Sequence, residues 1–147
     1  MKRRKTIVLC SSGSFYEHVN QIAAELEKRG YRTVVPATAY EMLKSGDYDI
    51  SKVKAWIHDP KHFKLKQQLA MAHFEEVSKG DAVLIVNDDK PGRPAYIGPN
   101  GTMEWGVAYY LGKPVYLWKG VPKDSNFYEE VYGMSTVIDG DLDKIKL

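Results

Sequence analysis

The stretch from residue 81 to residue 118 constrains the fold more than any other. It opens on Ala82-Val83-Leu84-Ile85-Val86, a continuous apolar run. The run is too short for a helix and rich in β-branched residues, which predicts a strand buried on both faces. A polar loop containing Gly and Pro follows over 87–100, and then an apolar-periodic segment, 101–111, that predicts a helix. Gly112-Lys113-Pro114 stops that helix, and Val115-Tyr116-Leu117-Trp118 predicts another buried strand. The unit is β-loop-α-β. Its long loop lies beyond the carboxyl end of a parallel strand, where open α/β sheets place their ligands.

The rest of the chain repeats this alternation. Thr6-Ile7-Val8-Leu9-Cys10 reads as the first strand, followed by the turn Ser11-Ser12-Gly13-Ser14 and a helix over about 16–29 that Gly30 ends. Residues 31–36 form a second strand. Residues 37–59 mix apolar side chains with Gly, Asp and Lys; a flap, a subunit contact and an irregular connection are all open there. A helix over about 60–79 has Phe63, Leu65, Leu69, Ala72, Phe74 and Val77 as its apolar positions. A short helix over about 126–132 leads to a last strand, 135–138. Five strands alternating with about four helices predict a parallel sheet with helices on both faces, flavodoxin- or Rossmann-like, in the order 2-1-3-4-5. The 147 residues are expected to form a single domain.

Several function classes are disfavoured by composition. Net charge is +2, part of it from Lys2-Arg3-Arg4-Lys5. No second basic stripe with interleaved aromatics accompanies that start, so no nucleic-acid partner is expected. No apolar run approaches the roughly 20 residues that cross a bilayer, and the basic start does not lead into a signal peptide. A cytoplasmic protein without a membrane partner is expected. The single cysteine, Cys10, excludes a disulfide framework and a multi-cysteine zinc site, fits a reducing compartment and reads as a buried, inert thiol.

Glu104 is the leading candidate for chemistry. It falls in the first turn of the predicted helix, where an acid also complements the helix dipole. The loop before it favours function, because loops this long are uncommon in compact domains and are usually functional or disordered. Asn87 opens that loop. Gly98, Asn100 and Gly101 close it and allow a ligand to approach the backbone. Ser12, Gly13 and Ser14 can offer backbone N–H groups at a helix start to a phosphate or sugar oxygen, and plain capping explains them equally well. His73 stands in the last two turns of its helix and titrates near neutrality.

Two segments carry a family resemblance. One runs from His73-Phe74-Glu75-Glu76-Val77 through Gly80-Asp81-Ala82-Val83-Leu84-Ile85-Val86-Asn87. The other is Tyr96-Ile97-Gly98-Pro99-Asn100-Gly101-Thr102-Met103-Glu104-Trp105-Gly106-Val107-Ala108 with Leu111-Gly112-Lys113-Pro114-Val115-Tyr116-Leu117. Together they resemble the nucleoside 2-deoxyribosyltransferase superfamily, which includes the 2′-deoxynucleoside 5′-phosphate N-hydrolases. The resemblance implies a glutamate nucleophile at Glu104, sugar or 5′-phosphate contacts from Ser12-Gly13-Ser14, and sugar or base contacts near Asn100. It implies a nucleoside or nucleotide substrate, a homodimer or higher homo-oligomer, and neither cofactor nor metal. His18, His58, His62 and His73 also lack metal-ligand spacing. One departure stands out: where the family has an aspartate toward the sugar hydroxyl, this chain has His73. That swap replaces a fixed acceptor with a group that can donate, accept or carry charge, and makes His73 a candidate acid/base partner of Glu104.

Gly98-Pro99-Asn100-Gly101-Thr102-Met103-Glu104 also resembles the loop of cytokinin-activating phosphoribohydrolases, although their glycine-rich first loop is missing. A non-catalytic nucleotide-binding protein of the same fold is the remaining alternative. Trp56, Trp105, Tyr109 and Tyr110 are aromatic candidates for the pocket or a neighbouring subunit, with core packing expected for at least two.

Overall fold

The structure is a computed structural model that describes residues 2–147; the side chains of 54–57, Trp56 among them, lie outside the described residues. Five parallel strands run in the order β2-β1-β3-β4-β5. They are β1 (Thr6–Ser11), β2 (Arg32–Val34), β3 (Ala82–Val86), β4 (Val115–Leu117) and β5 (Thr136–Val137). The expected α/β class and strand order are those observed. Alternation along β1 divides the core into two layers. Ile7 and Leu9 pack with Val19, Ile22 and Leu26 of α1 (Tyr16–Lys28). Val8 and Cys10 face the opposite layer, with Trp105 and Ala108 of α5 (Pro99–Tyr110) and Val131 of α6 (Tyr128–Met134). Every residue of β3 is buried, as its unbroken apolar run requires.

Chain reversals follow the local chemistry. Gly30 (φ 95°) ends α1, and the Tyr31 N–H donates back to the Leu26 carbonyl at 3.1 Å. Gly112 (φ 73°) does the same for α5, with the Lys113 N–H on the Ala108 carbonyl at 3.0 Å. Both are left-handed helix stops that a side chain would strain. The 87–98 loop is itself built: Lys90 and Arg93 exchange backbone hydrogen bonds of 3.0 and 2.8 Å, and the Asp89 carboxylate accepts from the Ala95 N–H at 2.8 Å.

Three expectations need correction. Residues 37–59 hold two helices, α2 (Ala37–Ser45) and α3 (Ile50–Ile57), so the α-helices number six among the described residues. Helix α4 (Phe63–Lys79) buries only Ala70 and Val77, while Phe63, Leu65 and Leu69 are exposed. Its inner stripe is Ala70, His73 and Val77, spaced to face α5 and β1. Helix α5 begins at Pro99, two residues early, because Gly98 is its N-cap and proline suits the first helical position. Glu104 therefore sits in the second turn, where the dipole explanation weakens. Of the described aromatic candidates only Trp105 is core; Tyr109 and Tyr110 are exposed. No helix among the described residues is long and apolar enough to cross a membrane.

Candidate functional site

A crevice opens at the carboxyl ends of β1 and β3. Its larger compartment, about 540 Å³, is lined by Ser11, Tyr16, His73, Asn100 and Glu104, with Pro36, Ala37 and Thr38 at the start of α2 and Val53 of α3 closing one side. A smaller compartment of about 250 Å³ adjoins it and shares Ser11, Tyr16, Thr38, Val53, Lys66 and Asn100. Ser12, Gly13, Ser14, Gly98 and Gly101 line this second part, beside Lys90 and Tyr96. The end of β1, two loops and helices α1 to α5 thus line one crevice that brings together nearly all the residues singled out in the sequence.

Asn87 is the exception. Its side chain is fully buried and lines neither compartment. The amide donates to the Lys119 carbonyl at 2.8 Å and accepts from the Lys119 N–H at 2.9 Å. This reciprocal pair ties the end of β3 to the segment after β4, so Asn87 is engaged in holding the sheet's rim.

The Ser-Gly turn is free for a ligand in one respect. Residues Gly13–Phe15 form a 3-10 turn before α1, and the Ser12 side chain does not cap it. At Gly13 a Cβ would come 2.6 Å from the Ile50 side chain, so glycine lets α3 close over the turn.

Glu104 is 6 % exposed. Burial pushes its carboxyl up to about 7, against the opposing effect of a hydrogen bond from the Cys10 thiol. Cys10 is wholly buried, and burial followed by the nearby Glu104 charge pushes its thiol up. Burial, and then the charges of Glu104 and Cys10, push the Tyr16 hydroxyl up to about 12, so it remains a donor at neutral pH. His73 Nε2 lies 3.1 Å from the Leu9 carbonyl and 3.6 Å from Cys10 Sγ. A carbonyl only accepts, which assigns the proton to Nε2 and leaves Nδ1 as the acceptor. Burial holds His73 below the usual imidazole range, so it is neutral at pH 7.

Three participants escaped the sequence reading. Cys10 was read as inert, although it is the last buried residue of β1 on the α5 face; strand parity was the available signal. Tyr16 opens α1 directly after the Ser-Gly turn. Asn20, buried in α1, donates to the Ala39 carbonyl at 2.9 Å and to the Tyr48 hydroxyl at 3.0 Å, which fixes α2 beside the crevice.

No protein-family model matches the chain, and no curated protein matches it. Among solved structures, a 2-deoxyribosyltransferase from the psychrotolerant bacterium Bacillus psychrosaccharolyticus is similar to it. The TM-score is 0.48 at 19% identity, over 76% of this chain and 70% of that one.

Proposed function

We propose that this chain cleaves or transfers the N-glycosidic bond of a nucleoside or its 5′-monophosphate, with Glu104 as the nucleophile. The observation that carries this reading is a nearly buried carboxylate on the wall of a nucleoside-sized crevice, at the carboxyl ends of two central parallel strands. The motif around Glu104, resembling the nucleoside 2-deoxyribosyltransferases, agrees with it.

A Glu104 oxygen attacks the anomeric carbon. The bond from that carbon to the base nitrogen breaks, its electron pair leaves with the base, and the base takes up a proton from solvent. A glycosyl ester of Glu104 remains. Water or a second base then attacks the same carbon, loses a proton to solvent, and returns Glu104 as a carboxylate. The developing positive charge on the sugar is met by a carboxylate whose surroundings exclude most water, which strengthens the attraction. Tyr16 offers its hydroxyl to the substrate from across the crevice. The smaller compartment, with the Ser12-Gly13-Ser14 backbone and Lys66, receives the sugar end or its phosphate. A homo-oligomer would cover the outward Phe63 and Leu65 of α4, and sedimentation velocity measures that state.

The test is chromatography of free base after incubating the protein with ribo- and deoxynucleosides and their 5′-monophosphates, with and without an acceptor base. Base release from one class, abolished in Glu104→Gln, is the expected result. A new nucleoside formed only with acceptor makes it a transferase. No release from any member, with ligand binding detected by thermal shift, overturns catalysis in favour of a nucleotide-binding protein.

A further inference from the structure

Cys10 from β1, His73 from α4 and Glu104 from α5 converge at one point; His73 and Glu104 line the larger compartment, and Cys10 is buried behind them. One ligand atom from each lies within 4.8 Å of the other two. These residues are 63 and 31 positions apart in sequence, which is why no ligand spacing was visible there. The Cys10 Sγ to His73 Nε2 separation is 3.6 Å. A tetrahedral zinc ion with Zn–S and Zn–N bonds of about 2.3 and 2.05 Å sets its sulfur and nitrogen about 3.6 Å apart. Cys10 and His73 already span that edge, and a Glu104 carboxylate oxygen lies within 4.8 Å of both ligand atoms.

We infer that Cys10, His73 and Glu104 form a three-ligand site for a borderline divalent cation of the zinc class, with the fourth position open to the crevice. Thiolate, imidazole and carboxylate together suit zinc or cobalt, whereas magnesium and calcium take oxygen donors. Three protein ligands with one position open differ from the closed four-ligand set of a structural site. Binding has a definite proton balance. The Cys10 thiol releases its proton to solvent as the metal–sulfur bond forms. The His73 proton passes from Nε2 to Nδ1, which frees the Nε2 lone pair for the metal and breaks the contact with the Leu9 carbonyl. The ion also holds the Glu104 carboxylate, so a loaded protein has no free nucleophile and base release stops. That consequence rests on the role given to Glu104 above; the metal binding does not.

The experiment uses untagged, chelator-stripped protein, since a histidine tag would bind the probe, and titrates it with Co²⁺ without substrate. The expected result is one equivalent bound, with the intense visible bands of four-coordinate cobalt and a thiolate-to-cobalt charge-transfer band. Cys10→Ser loses the charge-transfer band, Glu104→Gln weakens binding at least tenfold, and one equivalent of Zn²⁺ bleaches the spectrum. A pale six-coordinate spectrum, or an unchanged spectrum in Cys10→Ser, overturns the site. X-ray absorption of the zinc-loaded wild type needs no variant, and keeps the question open to test if Cys10→Ser does not fold. One sulfur at about 2.3 Å supports the site, and a shell of nitrogen and oxygen alone overturns it. Because no substrate is present, these outcomes are independent of whether the chain cleaves glycosides.

Discussion

His73 Nε2 lies 3.1 Å from the carbonyl oxygen of Leu9, so helix α4 is latched to β1 beside the carboxyl of Glu104. His73→Ala leaves that carbonyl without its donor and opens space in the crevice floor. The expected loss is about 1 kcal/mol of stability, read as a lower urea midpoint with an unchanged slope. An unchanged midpoint would mean that the latch contributes nothing to folding.

Asn87 and Lys119 make the second such connection, and here the expected functional role gives way to a structural one. Asn87→Ala leaves the partly buried Lys119 N–H and carbonyl without this partner, and is expected to cost about 1–3 kcal/mol. Protein that remains folded should keep its KM. Wild-type stability with a raised KM would return Asn87 to the substrate site.

Tyr16 lines both compartments and stays protonated at neutral pH. Tyr16→Phe removes one donor facing the substrate while keeping the ring that packs on the core. About a tenfold fall in kcat/KM is expected, the effect of losing roughly one hydrogen bond. Full activity would place the hydroxyl outside the reaction.

Acid stability should have an identifiable component at the other end of the sheet. Asp81 accepts from Arg3 at 3.0 and 2.7 Å and from the Thr6 N–H at 2.8 Å. Its side chain is held down at about 2, first by the Arg3 hydrogen bond and then by the Thr6 N–H. A carboxylate lowered by folding stabilises above its unfolded value and loses that contribution as pH falls, here from about 4 toward about 2. The pair faces solvent on one side, so the contribution is about 1 kcal/mol after screening. Asp81→Asn should lower the midpoint at pH 7, with the gap closing near pH 2. A gap that persists at pH 2 would contradict the ionic origin.

The sheet was legible because its strands are uninterrupted apolar runs between turn residues, which only a two-sided α/β core buries. Helices α2 and α3 were not, since both are short and partly exposed, and the left-handed Gly46 that ends α2 reads equally as loop. In α4 the larger apolar residues suggested the wrong face; the buried stripe is marked by small Ala70 and by His73. The turn Ser12-Gly13-Ser14 and the pair Asn100 and Glu104 were readable from position on a β-loop-α unit. Cys10 joined them only once β1 and α5 were set against each other, because contacts across a sheet face have no sequence spacing.

Nucleophilic catalysis by Glu104 requires a covalent glycosyl ester on that residue. Its most direct measurement is the mass of the Glu104 peptide from protein quenched in acid during turnover of whichever substrate releases base. A peptide heavier by one sugar residue is expected, with the addition on Glu104 and absent from Glu104→Gln. Base release accompanied by an unmodified Glu104 peptide, or by an adduct on another residue, would contradict it.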